Sequence, residues 1–141
     1  MTGSASLAIP ALLDEIPGVS YELEQCIRSS GFSDEQILDL QLAVEEAITN
    51  IIVHGYAGTP GTIMIHCRAG PDEVIVEIFD DAPAFDPLQV PAPDTSTDLD
   101  DREIGGLGIF LARQVTDAVT YRYENGQNIL TLTKKKQKCG A

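Results

Sequence analysis

Apolar residues in the first part of the chain recur at the three- and four-residue spacing of a helix, then switch to the alternation of strands. Leu7 to Ile9 form an apolar run ended by Pro10, which predicts a short strand. Leu12, Leu13, Ile16, Val19, Leu23 and Ile27 carry a first helical pattern, and Gly31 closes it. Ser33 is a good N-cap with Gln36 three residues later, a capping-box pattern. The apolar positions of a second helix follow at Ile37, Leu40, Val44, Ala47, Ile48, Ile51 and Ile52. Gly55 is the predicted stop.

Thr62 to Arg68 and Glu73 to Phe79 are rich in Ile and Val, with the turn AGPD between them, and predict a hairpin. From Asp80 to Glu103 the chain is acidic and carries Pro83, Pro87, Pro91 and Pro93, the composition of a long loop. Loops of that length inside a domain are usually functional or disordered. GGLGIFLARQVTDAV then reads as glycines running into a helix, with Ile109, Leu111, Ala112 and Val115 available for the core. Val119 to Tyr123 and Ile129 to Thr133 form a closing hairpin turned by ENGQ. The order of helices and strands is too uneven for a doubly wound parallel sheet. It predicts an α+β sandwich, with helices on one face of a mostly antiparallel sheet.

Composition narrows the field. The length of 141 residues suits one domain over 1–141, and the formal charge of −13, from 22 acidic against 9 basic residues, argues against nucleic acid as a partner. The basic run KKKQK predicts a solvated tail over 134–141. Cys26, Cys67 and Cys139 are odd in number and have no metal-ligand spacing, which points to a reducing cytoplasm. The N-terminus lacks the basic and apolar regions of an export signal, and no apolar stretch reaches membrane-span length, so the expectation is a protein without a membrane partner.

Three features carry candidate chemistry. In AVEEAITNIIVHGY, Glu46, Asn50 and His54 lie four residues apart and fall in one stripe of a helix. A carboxylate, an amide oxygen and an imidazole presented this way can supply a general base and a ligand for a hard cation such as Mg²⁺. The same residues also suit a solvent-facing carboxylate, a locally bonded amide and a helix-end histidine. EIFDDAPAFDP runs a strand into Asp80, a carboxylate able to accept a hydrogen bond from an exocyclic amine, although Asp-rich turns are common. In IGGLGIF, Gly105, Gly106 and Gly108 open a helix whose free N–H groups can cradle a phosphate, or merely provide a hinge.

Taken in this order, the three motifs resemble the GHKL ATPase superfamily of gyrase-type ATPases, heat-shock chaperones and histidine kinases. Within it the chain is most similar to the anti-sigma-factor serine/threonine kinase branch. The resemblance runs from LAIPALLDEIPGV through LTLTK. It implies the histidine-kinase-type two-layer sandwich on a mixed sheet, with ATP and Mg²⁺ as cofactors. EEAITNIIVHGY resembles the N-box, implying Glu46 as general base, Asn50 as Mg²⁺ ligand and His54 beside the nucleotide. DDAPAFDP resembles the box that reads adenine through Asp80, followed by Ala82. GGLGIFL resembles the phosphate box, with Gly105, Gly106, Leu107 and Gly108 near the phosphates. Asn128 falls near the place where relatives carry a threonine beside the adenine.

The chain departs from the superfamily's D-x-G-x-G by carrying Ala82 and Ala84 at the glycine positions, which predicts strain if Ala82 adopts a positive φ. The implied function is an ATP-dependent serine/threonine kinase acting as an anti-sigma factor. Its implied substrate is a small anti-anti-sigma protein, its alternative ligand a sigma factor and its scaffold a homodimer. Residues 88–104 would close over the phosphates, with Arg102 offering positive charge. The alternative is a nucleotide-binding regulatory module that sequesters a partner with little phosphotransfer, for which the two alanines are the motive. A histidine kinase is disfavoured, because no helix pair with a phospho-accepting histidine precedes the domain.

Overall fold

In the computed structural model the described residues are 3–89 and 112–136. The first strand, β1, is Gly3–Pro10, longer than its apolar run. Its extension comes from a partner: β1 pairs antiparallel with β2, Thr62–Ala69, from Gly3 opposite Ala69 to Pro10 opposite Thr62. A 3₁₀ turn, Leu13–Glu15, precedes α1, Ile16–Arg28, so the single helical run expected from Leu12 is divided in two. Pro17 lies in the first turn of α1, where a missing N–H costs nothing.

The second helix, α2, is Asp34–Asn50, and its start follows the sequence closely. The Gln36 N–H donates to the Ser33 hydroxyl at 3.1 Å, and the Ser33 N–H donates to Gln36 Oε1 at 3.2 Å. A cap of this kind is worth about 1 kcal/mol. The end of α2 differs from the expectation. Ile51–Gly55 form a π turn, closed by the Tyr56 N–H on the Ile51 carbonyl at 2.8 Å. The helical winding still ends at Gly55, as expected, but as a π turn and not as regular α-helix. The chain reverses at Ala57 and Gly58, both at positive φ, with the Thr59 N–H on the Tyr56 carbonyl.

The remaining strands are β3 (Glu73–Asp80), β4 (Ala118–Glu124) and β5 (Gln127–Lys135). The sheet order is β1-β2-β3-β5-β4, and all four pairings are antiparallel. No parallel pair accompanies them among the described residues, so the mixed sheet implied by the resemblance is antiparallel here. The turn between β4 and β5 is Asn125–Gly126, both at positive φ, as the NG pair predicts. The helix expected after the loop is seen at 112–115, where Ala112 is fully buried. Residues 105–111 and most of 88–104, Arg102 included, lie outside the described residues, as does Cys139.

Alternate strand residues, such as Ile63 and Ile65 or Val74, Val76 and Ile78, turn one face of the sheet inward. Leu23 and Ile27 of α1 and Ile37, Leu40, Val44 and Ile48 of α2 meet that face. Each such fully buried side chain contributes about 1.5–3 kcal/mol.

The basic C-terminal run is not a solvated tail at its start. Lys134 belongs to β5 and is 15% exposed at its side chain, within 3.3 Å of Asp39. Lys136 donates to the Ser30 carbonyl at 3.0 Å and lies over the Phe32 ring. These lysines fasten the end of the sheet to the helix layer.

Candidate nucleotide-binding site

A cleft with about 410 Å³ of empty space, part of it open to solvent, lies where α2 and its π turn meet the ends of β3 and β5. Ala47, Asn50, Ile51 and Gly55 line it from the helix, and Pro83, Phe85 and Pro87 from the loop after β3. Asp80, Asn128, Tyr121 and Leu130 come from the strands.

Asn50 is 8% exposed and shares the inward face of α2 with the buried Ala43 and Ala47. Glu46, one turn earlier, is half-buried and does not line the cleft. His54 is exposed and is not part of the lining either. The expected stripe is broken by the π turn, whose wider winding rotates residues after Asn50 away from the line a regular helix would keep.

Asp80 ends β3 and is 5% exposed. Its Oδ1 accepts the Ala82 N–H at 3.0 Å and Asn128 Nδ2 at 2.9 Å. Burial pushes the Asp80 carboxyl above the usual carboxylate value, these two donors oppose the rise, and the Asp81 charge adds to it. Asp80 and Asn128 are directly opposite in the β3–β5 register. Asn128 Nδ2 also donates to the Ala82 carbonyl at 2.9 Å and the Pro83 carbonyl at 3.2 Å. Its Oδ1 accepts the Phe85 N–H at 3.1 Å and the Tyr121 hydroxyl. One amide thus ties β3, β4, β5 and the loop after β3 together.

Tyr56, which ends the HGY motif, does related work on the other side. Its hydroxyl donates to the Thr62 carbonyl at 2.7 Å and accepts the Asp81 N–H at 2.9 Å. Burial raises the pKa of this phenol. A Cβ on Gly61 would fall 2.2 Å from the Tyr56 ring, so only glycine lets the ring lie there.

Ala82 is buried, and neither it nor Ala84 has a positive φ. The strain predicted at Ala82 is absent. Its methyl instead faces Gly55, where an added Cβ would come within 3.3 Å.

Of the residues singled out from sequence, Asn50, Asp80 and Asn128 line the cleft together, and Ala82, two residues after Asp80, donates its N–H to the Asp80 carboxylate. Gly105, Gly106, Leu107 and Gly108 lie outside the described residues. Sequence reasoning missed Tyr56, Tyr121, Ile51 and Leu130. Only Tyr56 carried a sequence clue, as the last residue of HGY; the strand residues look like ordinary alternation.

Chemically, the cleft offers apolar walls around a buried carboxylate. That suits a planar heterocycle whose exocyclic amine meets Asp80. Asn50 supplies a hard oxygen donor on the helix, the type that Mg²⁺ takes alongside phosphate oxygens and water.

The histidine kinase-like ATPase domain model matches residues 9–134. The serine/threonine-protein kinase BtrW of Bordetella bronchiseptica is 35% identical over 114 residues, 80% of this chain and 80% of that protein. The serine-protein kinase RsbW of Listeria monocytogenes is 30% identical over 135 residues, covering 92% of this chain and 86% of that one. The anti-sigma F factor of Clostridium acetobutylicum is 28% identical over 72% of this chain and 71% of its own. The crystal structure of the RsbU and RsbW domains of Rv1364c from Mycobacterium tuberculosis superposes with a TM-score of 0.62 at 18% identity. It covers 94% of this chain and 32% of that one, a likeness of fold. With its family model matching residues 9–134, nearly the whole sequence, the chain belongs to the histidine kinase-like ATPase domain family.

Proposed function

We propose that the chain is an ATP-dependent serine/threonine protein kinase that acts as an anti-sigma factor and phosphorylates a small anti-anti-sigma partner protein. The observation that carries this reading is the convergence of Asn50, Asp80 and Asn128 on one cleft in a chain whose relatives are named as such kinases. Asp80 receives the adenine amine, and Asn128 holds Asp80 and the following loop in place. Asn50 holds Mg²⁺, whose chemistry when bound is to neutralise phosphate charge. Glu46 acts as general base on the substrate hydroxyl, and His54 contributes to nucleotide binding. Gly105, Gly106, Leu107 and Gly108 receive the phosphates. Phosphoryl transfer asks chiefly for such positioning.

The partners proposed are the anti-anti-sigma substrate, a sigma factor as alternative ligand, and a second copy of the chain. The setting proposed is the cytoplasm; among the described residues no helix is long and apolar enough to cross a membrane. The second reading, a nucleotide-binding module with little or no phosphotransfer, is motivated by Ala82 and Ala84, neither of which has a positive φ.

The test incubates the protein with γ-labelled ATP, Mg²⁺ and the candidate partner, beside Glu46→Ala. Label should appear on the partner and vanish with the variant. Nucleotide binding without label on any partner would refute the kinase reading, and failure to bind millimolar ATP would refute the site itself.

A further inference from the structure

Two thiols face one another in the core, outside the cleft. Cys26 near the end of α1 and Cys67 in the middle of β2 are both buried and reduced, with their sulfurs 3.2 Å apart. They are 41 residues apart in sequence, and it is the packing of α1 on the sheet that brings them together. A disulfide bond is about 2.05 Å long, so the gap to be closed is about an ångström, within reach of small side-chain rotations. Neither thiol lines the cleft. In the register, Cys67 lies between Ala5 of β1 and Val76 of β3, several residues from Asp80.

We propose that Cys26 and Cys67 are a modification site, a dithiol that peroxides or disulfide-forming reagents convert to a reversible cross-link between α1 and β2. Cys26 is the more exposed of the two, at 6% against 1%, and is the sulfur oxidised first. Its thiolate takes one peroxide oxygen to give a sulfenic acid, and the other oxygen leaves as hydroxide. Cys67 sulfur then attacks the sulfenic sulfur, and its thiol proton joins the departing hydroxide as water. Two thiols and one peroxide thus yield one disulfide and two waters, the thiols being oxidised and the peroxide reduced. Burial and the neighbouring Cys26 raise the Cys67 thiol's pKa.

The cross-link would tie the helix layer to the sheet. The Ser20 hydroxyl of α1 donates to Glu45, and the Ser20 carbonyl accepts from Gln41, both on α2. Fixing α1 therefore bears on the helix that carries Glu46 and Asn50. Closing a loop of this length removes conformations from the unfolded chain, and the thermal midpoint should rise by about 5–10 °C.

The experiment uses the full chain with Cys139→Ser, so that two thiols remain. After treatment with the thiol oxidant diamide, free thiols are blocked with iodoacetamide and the protein is cut with trypsin. Cleavage after Arg28 and Arg68 leaves Cys26 and Cys67 on separate peptides, 1–28 and 29–68. The expected result is those two peptides joined, separated again by dithiothreitol, together with a higher midpoint that Cys26→Ser abolishes. Both cysteines alkylated after prolonged diamide treatment would overturn the proposal. So would a cross-linked protein with an unchanged or lowered midpoint, or a shift that persists in Cys26→Ser.

Discussion

Asn128→Asp replaces the donor that faces Asp80 with a second carboxyl group. The substitution changes almost no volume, so its effects are electrostatic. Nδ2 donates to the Asp80 carboxylate and to the Ala82 and Pro83 carbonyls, and all three contacts end. A hydrogen bond to a charged group is worth about 1.5–3 kcal/mol and a neutral one about 0.5–1.5, so this loss comes to about 2.5–6 kcal/mol. Asn128→Ala loses these bonds and also the Oδ1 acceptor of the Phe85 N–H and the Tyr121 hydroxyl, a cost that does not vary with pH in this range. The pH-dependent part of the difference between the two variants therefore isolates the carboxylate pair.

Burial raises the Asp80 carboxyl from its ordinary value of 3.8, so the folded protein holds that proton more tightly than the unfolded chain does. Ionisation of Asp80 thus opposes folding. In the native protein, stability from this group is greatest below the unfolded value, falls as pH rises toward the folded value, and levels off above it. Two facing carboxyl groups cannot both ionise cheaply, which moves the pair's proton uptake further upward. In urea unfolding, Asn128→Asp should lose about 1–3 kcal/mol relative to Asn128→Ala between about pH 5 and about pH 8. A gap that stays constant across that range would refute the reasoning, since a purely steric or hydrogen-bonding effect has no such slope.

Two further substitutions test the cleft's supports. Tyr56→Phe removes the donor to the Thr62 carbonyl and the acceptor for the Asp81 N–H. It should cost about 1–3 kcal/mol in urea unfolding and weaken ATP binding measured by titration calorimetry; unchanged values in both would show that the hydroxyl holds nothing. Gly55→Ala sets a methyl 3.3 Å from the Ala82 methyl and should destabilise by about 1–3 kcal/mol, with Ala82→Gly restoring part of the loss in the double variant. Strict additivity of the two would mean that the contact is not the cause.

The sequence by itself determined whatever depends on neighbours a few residues apart. The Ser33–Gln36 box is such a case, because donor and acceptor are separated by one turn of the same helix. The Asn125–Gly126 turn is another, set by the positive φ that those two residues tolerate. Alternating Ile and Val in β2 and β3 likewise settled which strand residues face inward. Asp80 and Asn50 were legible as candidates because carboxylates and amides are unusual within apolar runs.

Only the tertiary structure decided what those groups touch. Asp80 meets Asn128 across 48 residues because β5, not β4, lies beside β3, and a register shifted by one residue would turn Asn128 to the other face. The π turn that separates His54 from Asn50 depends on how Tyr56 is held by Thr62 and Asp81, contacts that no helical period encodes. The Lys134 side chain is partly buried because Asp39 and the Val115 carbonyl await it on other elements. Local hydrogen bonds and side-chain periodicity act along the chain, whereas these contacts exist only after the sheet has chosen its neighbours. That is why the sequence could identify the cleft's main groups and could not reveal the network of bonds that holds them.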